Sequence, residues 1–182
     1  VAGERAPREA LKLILAWAEI FGKWNAFSWG REALPRRVIN LACWGRRIAA
    51  STSEADRARL ADLLARQARH LSRLGGDVSA SEIGCAQTIA GAALGGAAGQ
   101  SILNKGLSRL RRALPKTVLA DGCHASRSPE AGLELLFDLL TVDDALLQIG
   151  CEAPPELGRA IDRLTAGLRA LTLPDGRLAA FQ

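Results

Sequence analysis

Apolar residues recur along almost the whole chain at the spacing of a helical face, and no alternating apolar and polar run is long enough to argue for a sheet. A first helix is expected from Pro7, a residue suited to an N-terminal first turn, to about Lys23, with Leu11, Ile14, Leu15, Ala18 and Phe21 inward. Trp24 to Leu34 reads as an aromatic loop, and a second helix starts at Pro35 with Val38, Ile39, Leu41, Ala42 and Ile48 inward. The third helix has the clearest signal: Ser53 can cap it, Leu60, Leu63, Leu64, Gln67, Ala68, Leu71 and Leu74 form one stripe, and Gly75-Gly76 end it.

Ser79 or Ser81 opens a fourth, small-residue helix through Ile83, Ile89, Ala93 and Leu94, whose glycines cost helical stability but let backbones approach closely. A fifth carries Ile102, Leu103, Leu107, Leu110 and Leu114 until Pro115 kinks or ends it. After the Asp121-Gly122 turn, Ser128-Pro129 begins a sixth with Leu133, Leu136, Phe137, Leu140 and Leu147 as its stripe, closed by Gly150. The last starts at Pro154-Pro155, holds Leu157, Ile161, Leu164, Leu168 and Leu171, and stops at Pro174-Asp175-Gly176. The result is an all-α chain of about seven helices, antiparallel where connections are short, as in bundles, solenoids and α/α toroids. No fixed-period repeat of the armadillo or TPR kind occurs.

Composition narrows this picture. A chain of 182 residues with 48% apolar and 24% charged side chains is an ordinary globular domain, and residues 1–182 read as one unit. Lys12 and Glu19 interrupt the most apolar early segment, Leu11 to Phe21, which excludes a membrane span, and no cleavage site follows it as in a signal peptide. Cys43, Cys85, Cys123 and Cys151 are widely spaced, with only two histidines to join them, so no metal site is expected. Their even number permits disulfides, although a helical domain of this size does not need them and cysteine is often a small buried apolar residue. The net charge of +5 sits in the first half: residues 1–75 hold 14 Lys/Arg against 7 Asp/Glu, and the remainder 10 against 12. That excess favours an anionic partner, an acidic polysaccharide or a nucleic acid.

The stretch Asp121-Gly122-Cys123-His124-Ala125-Ser126-Arg127-Ser128-Pro129-Glu130, followed by the Leu133 to Leu147 helix, resembles the bacterial heparinase II/III-like polysaccharide lyases, especially their alphaproteobacterial members. Trp24 to Trp29, Arg36-Arg37-Val38-Ile39-Asn40 and Gln67-Ala68-Arg69-His70-Leu71 upstream, then Pro154-Pro155-Glu156-Leu157, Ala160-Ile161-Asp162-Arg163-Leu164 and Pro174-Asp175-Gly176-Arg177-Leu178 downstream, look like the family's successive toroid elements in order. The resemblance implies a partial (α/α) toroid, β-elimination on acidic glycans, no cofactor, a periplasmic leaning, and a parent protein whose C-terminal β-sandwich domain is a partner of this one. The abrupt Val1 start and the apolar end, Arg177 to Gln182, fit an excised piece.

Uronate β-elimination needs a group that neutralises the carboxylate, a base for the C5 proton and an acid for the leaving oxygen. Family members use Asn or His, a Tyr, and a His shared with the β layers. This chain has no tyrosine, and Ala131 stands where the family's Tyr commonly follows the Ser-Pro step. His124 is the candidate catalytic group, with Arg127 beside it to hold a carboxylate; both residues can equally serve the turn before the Ser128 cap. Arg36, Arg37, Asn40 and Trp29 are the candidate substrate contacts, in an aromatic and basic cluster with Trp24, Trp44 and Arg31. Two function classes follow: the helical part of a lyase, inactive on its own, or a non-catalytic module binding anionic glycan or nucleic acid. The nucleic-acid version is disfavoured, because no helix concentrates its arginines into a reading face.

Overall fold

A computed structural model describes residues 2–50, 52–77 and 79–180. Val1, Ser51, Val78, Phe181 and Gln182 lie outside the described residues. The described residues form seven helices: α1 (Ala2–Phe21), α2 (Leu34–Ala49), α3 (Glu54–Leu71), α4 (Ala80–Leu94), α5 (Gly96–Thr117), α6 (Pro129–Gln148) and α7 (Pro155–Ala170). The only β pairings among them are two isolated bridges, Val118 with His124 and Thr172 with Leu178.

Helices α2, α4 and α6 pack side by side in a row, while α1, α3, α5 and α7 lie against that row, giving the toroid-like all-α fold that the family resemblance implies. Within the row α4 has α2 on one flank and α6 on the other, whereas the main neighbours of α6 among the described residues are α4 and α7. Helix α4 is the hub, with ten buried residues in its 15. Its glycines explain how it can be surrounded. A Cβ on Gly91 would lie 2.5 Å from the Leu103 amide nitrogen, and one on Gly106 of α5 would lie 2.5 Å from Thr88 Oγ1, so α4 and α5 meet backbone to backbone. The one-residue link between them, Gly95 at φ +62°, takes a left-handed conformation that a side chain would strain.

Local chemistry sets the helix starts. Ser53 accepts from the Asp56 amide at 3.1 Å and Ser128 from the Ala131 amide at 3.2 Å, as their positions predict. Ser79 does not cap: it adopts a left-handed backbone at φ +54°, and α4 begins at Ala80 without a side-chain cap. Pro115 lies inside α5, which runs on to Thr117.

Helix α6 corrects the sequence-based stripe. Its buried face is Leu135, Asp138, Leu139, Val142 and Leu146, whereas Phe137, Leu140 and Leu147 are exposed and Leu133 and Leu136 half-buried. The helix has apolar residues on two faces, and the inner one contains an aspartate. A charge in the middle of the true core stripe makes it read as polar, so periodicity selects the outer stripe instead. All four cysteines are free thiols, with Cys85 in the core.

Candidate functional site

The predicted residues fall in two places. Arg36, Arg37 and Asn40 lie on the first turns of α2, whose proline in the first turn and basic last turn, Arg46 and Arg47, suit the helix dipole. Together with Ile14, Glu32, Trp44 and Ile48 they line an open groove of about 710 Å³ between α1 and α2. Asn40 is exposed, and Trp44, one α-helical turn further along the same side, is 58% exposed. An exposed indole in a groove can stack on a sugar ring, and an adjacent amide can hydrogen-bond its hydroxyls.

The two arginines are already engaged. The Arg36 guanidinium grips Asp138 of α6 through both carboxylate oxygens, at 2.6 and 3.1 Å, with Glu134 a further 4.0 Å contact. Burial pushes the Asp138 carboxyl above its ordinary range, even though Arg36 draws it down, so it is the carboxylate end of the pair that the fold desolvates. Arg37 donates to Gln67 Oε1 at 2.6 Å and to the Ser28 carbonyl, and its guanidinium lies 4.4 Å from the Trp17 ring centroid. Trp29 is buried, 6% exposed: its indole N–H donates to the Phe21 carbonyl at 2.8 Å, and its ring meets His70 edge-on at 5.2 Å. The arginines therefore fasten α2 to its neighbours, and Trp44 rather than Trp29 is the groove tryptophan that solvent reaches, with Trp24 exposed as well in the preceding loop.

His124 and Arg127 belong to the turn between α5 and α6. His124 Nδ1 accepts from the Ser126 amide at 3.1 Å and sits 2.6 Å from Ser126 Oγ. A nitrogen facing an amide donor carries the lone pair, so the hydrogen is assigned to Nε2, which is buried and has no partner among the described residues. His124 lines a cleft of about 260 Å³ with Ser81, Glu82, Lys116 and Thr117 at the start of α4 and the end of α5. Arg127, at φ +61°, pairs with exposed Asp121, which that contact holds below the usual carboxylate range. As arranged, His124 has no free lone pair with which to take a proton.

Glu82 is a residue that sequence reasoning missed: it lines the cleft beside His124, and its negative charge favours the protonated forms of both His124 and Asp138. Asp138 was also missed, and its signal was a lone acid inside the apolar run Leu135 to Val142. Among the described residues no three of His, Cys, Asp and Glu gather as a metal would require.

Burial depresses the imidazoles of His124 and His70 below the ordinary histidine value of about 6.5. The unfolded chain then takes up protons before the folded one does. Their contribution to stability is fully present above about pH 6.5 and is lost as the pH falls through the depressed folded values. Urea unfolding at pH 7.5 and 5.5 is expected to show lower stability at the acid pH, and His124→Asn with His70→Asn should flatten the difference. A stability that rises toward pH 5.5 would contradict the depressed imidazoles.

The fold is heparinase-like. The chain matches the crystal structure of a heparan sulfate lyase HepC mutant from Pedobacter heparinus with a TM-score of 0.68 at 18% identity, covering 96% of this chain and 29% of that one. No family profile matches the sequence. In sequence it is 50% identical over 180 residues to FtsZ-localized protein C of Caulobacter vibrioides (strain NA1000 / CB15N), covering 98% of this chain and 31% of the relative. The chain thus spans about a third of the length of the proteins that it matches. Among the described residues no helix is long and apolar enough to cross a membrane.

Proposed function

We propose that this chain is the toroid portion of a longer protein and that it holds a glycan chain in the α1–α2 groove without cleaving it. The observation that carries this reading is the contrast between the two halves of the candidate site. Trp44 and Asn40 are presented to solvent side by side, while His124 has its lone pair occupied and the chain has no tyrosine to serve as acid or base. The similarity to a lyase supports a glycan-shaped concave side, and the basic first half favours an acidic glycan. The relative's name supports a role beside FtsZ and lends nothing to the periplasmic placement that the family resemblance suggests. In the parent protein a β-sandwich domain would follow the toroid.

Calorimetry with oligosaccharides of heparan sulfate, hyaluronan and alginate tests this. Binding is expected to at least one, weakening with salt because charge contacts are screened within about 8 Å at physiological ionic strength. Trp44→Ala should weaken it about tenfold, a loss of about 1.4 kcal/mol, within the range for aromatic contacts. No heat with any of the three would end the glycan reading. Ultraviolet absorbance from an unsaturated uronate, lost in His124→Ala, would end the non-catalytic one.

A further inference from the structure

The α1–α2 groove offers an occupant less charge than the basic first half suggests. Arg36 is neutralised by Asp138, with Glu134 a further carboxylate beside it, and Arg37 has its guanidinium taken up by Gln67, the Ser28 carbonyl and the Trp17 ring. Glu32 also lines the groove; it is exposed and takes part in no ion pair among the described residues. Arg36 and Arg37 thus stand against Glu32 and Asp138, two charges against two. What the groove leaves free is of another kind. The Asn40 side chain makes no hydrogen bond among the described residues and lies one helical turn from the exposed Trp44 ring, while Ile14, Leu41 and Ile48 supply aliphatic surface in the same groove.

We propose that the groove selects sugars that carry an N-acetyl group, whether the glycan is acidic or neutral; this rests on the glycan reading above and narrows it. With a sugar ring on the Trp44 indole, an acetamido group is the substituent that uses everything else the groove has free. The Asn40 carboxamide can donate to the acetyl carbonyl and accept from the acetamido N–H. The methyl leaves water against the aliphatic side chains of Ile14 and Ile48. A sulfate or a uronate carboxylate, by contrast, finds both arginines engaged and meets the like charge of Glu32. Arg46 and Arg47 are exposed and do not line the groove, so they still draw an acidic chain toward the protein from a distance without choosing the sugar.

The test uses β-1,4-linked tetrasaccharides that differ only at C2: those of chitin, cellulose and chitosan, with acetamido, hydroxyl and amino groups. Each is titrated to about 10 mM, enough for a weak site, into the ¹⁵N-labelled 182-residue chain while the four tryptophan indole signals are followed by NMR. The chitin oligomer should shift the Trp44 signal, with an affinity indifferent to salt because it is neutral. It should bind about tenfold more tightly than the cellulose oligomer, the size expected from one hydrogen-bonded amide and one methyl removed from water. Asn40→Ala should bring the two to parity by weakening the chitin oligomer alone, with circular dichroism unchanged because Asn40 is exposed. Equal affinity for the chitin and cellulose oligomers, or tighter binding of an alginate tetramer, overturns the N-acetyl inference and leaves the glycan reading standing. Tightest binding of the chitosan oligomer, abolished by Glu32→Gln, does the same. Selectivity that leaves the Trp44 signal unmoved overturns it too. No Trp44 shift with any oligomer, alginate included, ends both readings.

Discussion

Alanine at position 91 is expected to lower the unfolding free energy by about 3 kcal/mol, the upper part of the range for forcing a carbon into a packed interior. The new Cβ would lie 2.5 Å from the Leu103 nitrogen and 2.8 Å from the Gly99 carbonyl oxygen. Both neighbours are backbone, so no rotamer change relieves the overlap and α4 must move away from α5. That movement also loosens the second close approach, where Gly106 meets Thr88. Urea unfolding followed by circular dichroism should show a lower midpoint at an unchanged slope. Gly158→Ala in α7 is the control: nothing lies within 4 Å of its Cβ position, and better helix propensity should leave stability equal or slightly raised. A Gly91→Ala midpoint equal to that of the control would mean that the two backbones are not in contact.

A loss of similar size, about 3 kcal/mol, is expected from Arg36→Ala. It strands the buried Asp138 carboxylate, and the figure is at the low end for a broken buried pair because Arg36 itself is 45% exposed. The alternative substitution Asp138→Asn should cost less, since its amide oxygen still accepts from Arg36 and no buried charge remains. Most informative is Arg36→Ala with Asp138→Leu, which should recover part of the loss, because it removes the buried carboxylate that Arg36→Ala alone leaves without a partner. Equal, additive losses in the double variant would show that the two residues act independently.

How much of this was legible beforehand depended on how many faces each helix buries. Helix α3 has one, and its stripe of Leu60, Leu63, Leu64, Gln67, Ala68 and Leu71 is buried as its spacing predicts, with the polar Gln67 in place to receive Arg37. Helix α6 has two, and the aspartate on the inner one reversed the reading. The candidate site was visible as residue types but not as pairings. Arg36 and Asp138 are 102 positions apart, and what brings them together is the docking of helices, which a local pattern does not encode. The same limit separated Trp29 from Trp44. Both are tryptophans in the aromatic and basic segment, but the loop before α2 folds back so that Trp29 finds the Phe21 carbonyl, while Trp44 rides on the open side of a regular helix. His124 was identified as the residue of interest, but the Ser126 contact that occupies its lone pair depends on the turn's backbone geometry.

The surrounded position of α4 has a consequence for the timing of local opening. No amide in its middle can exchange with solvent until neighbours on several sides have moved, so its Ile83 to Ala90 hydrogens should exchange only through global unfolding. Helix α1, which packs chiefly on α2 and leaves Leu13 and Ile20 in water, requires no such collective event. The chain therefore carries a gradient of protection from one margin to its centre, with the α1–α2 groove at the yielding end and the glycine-packed hub at the slow one.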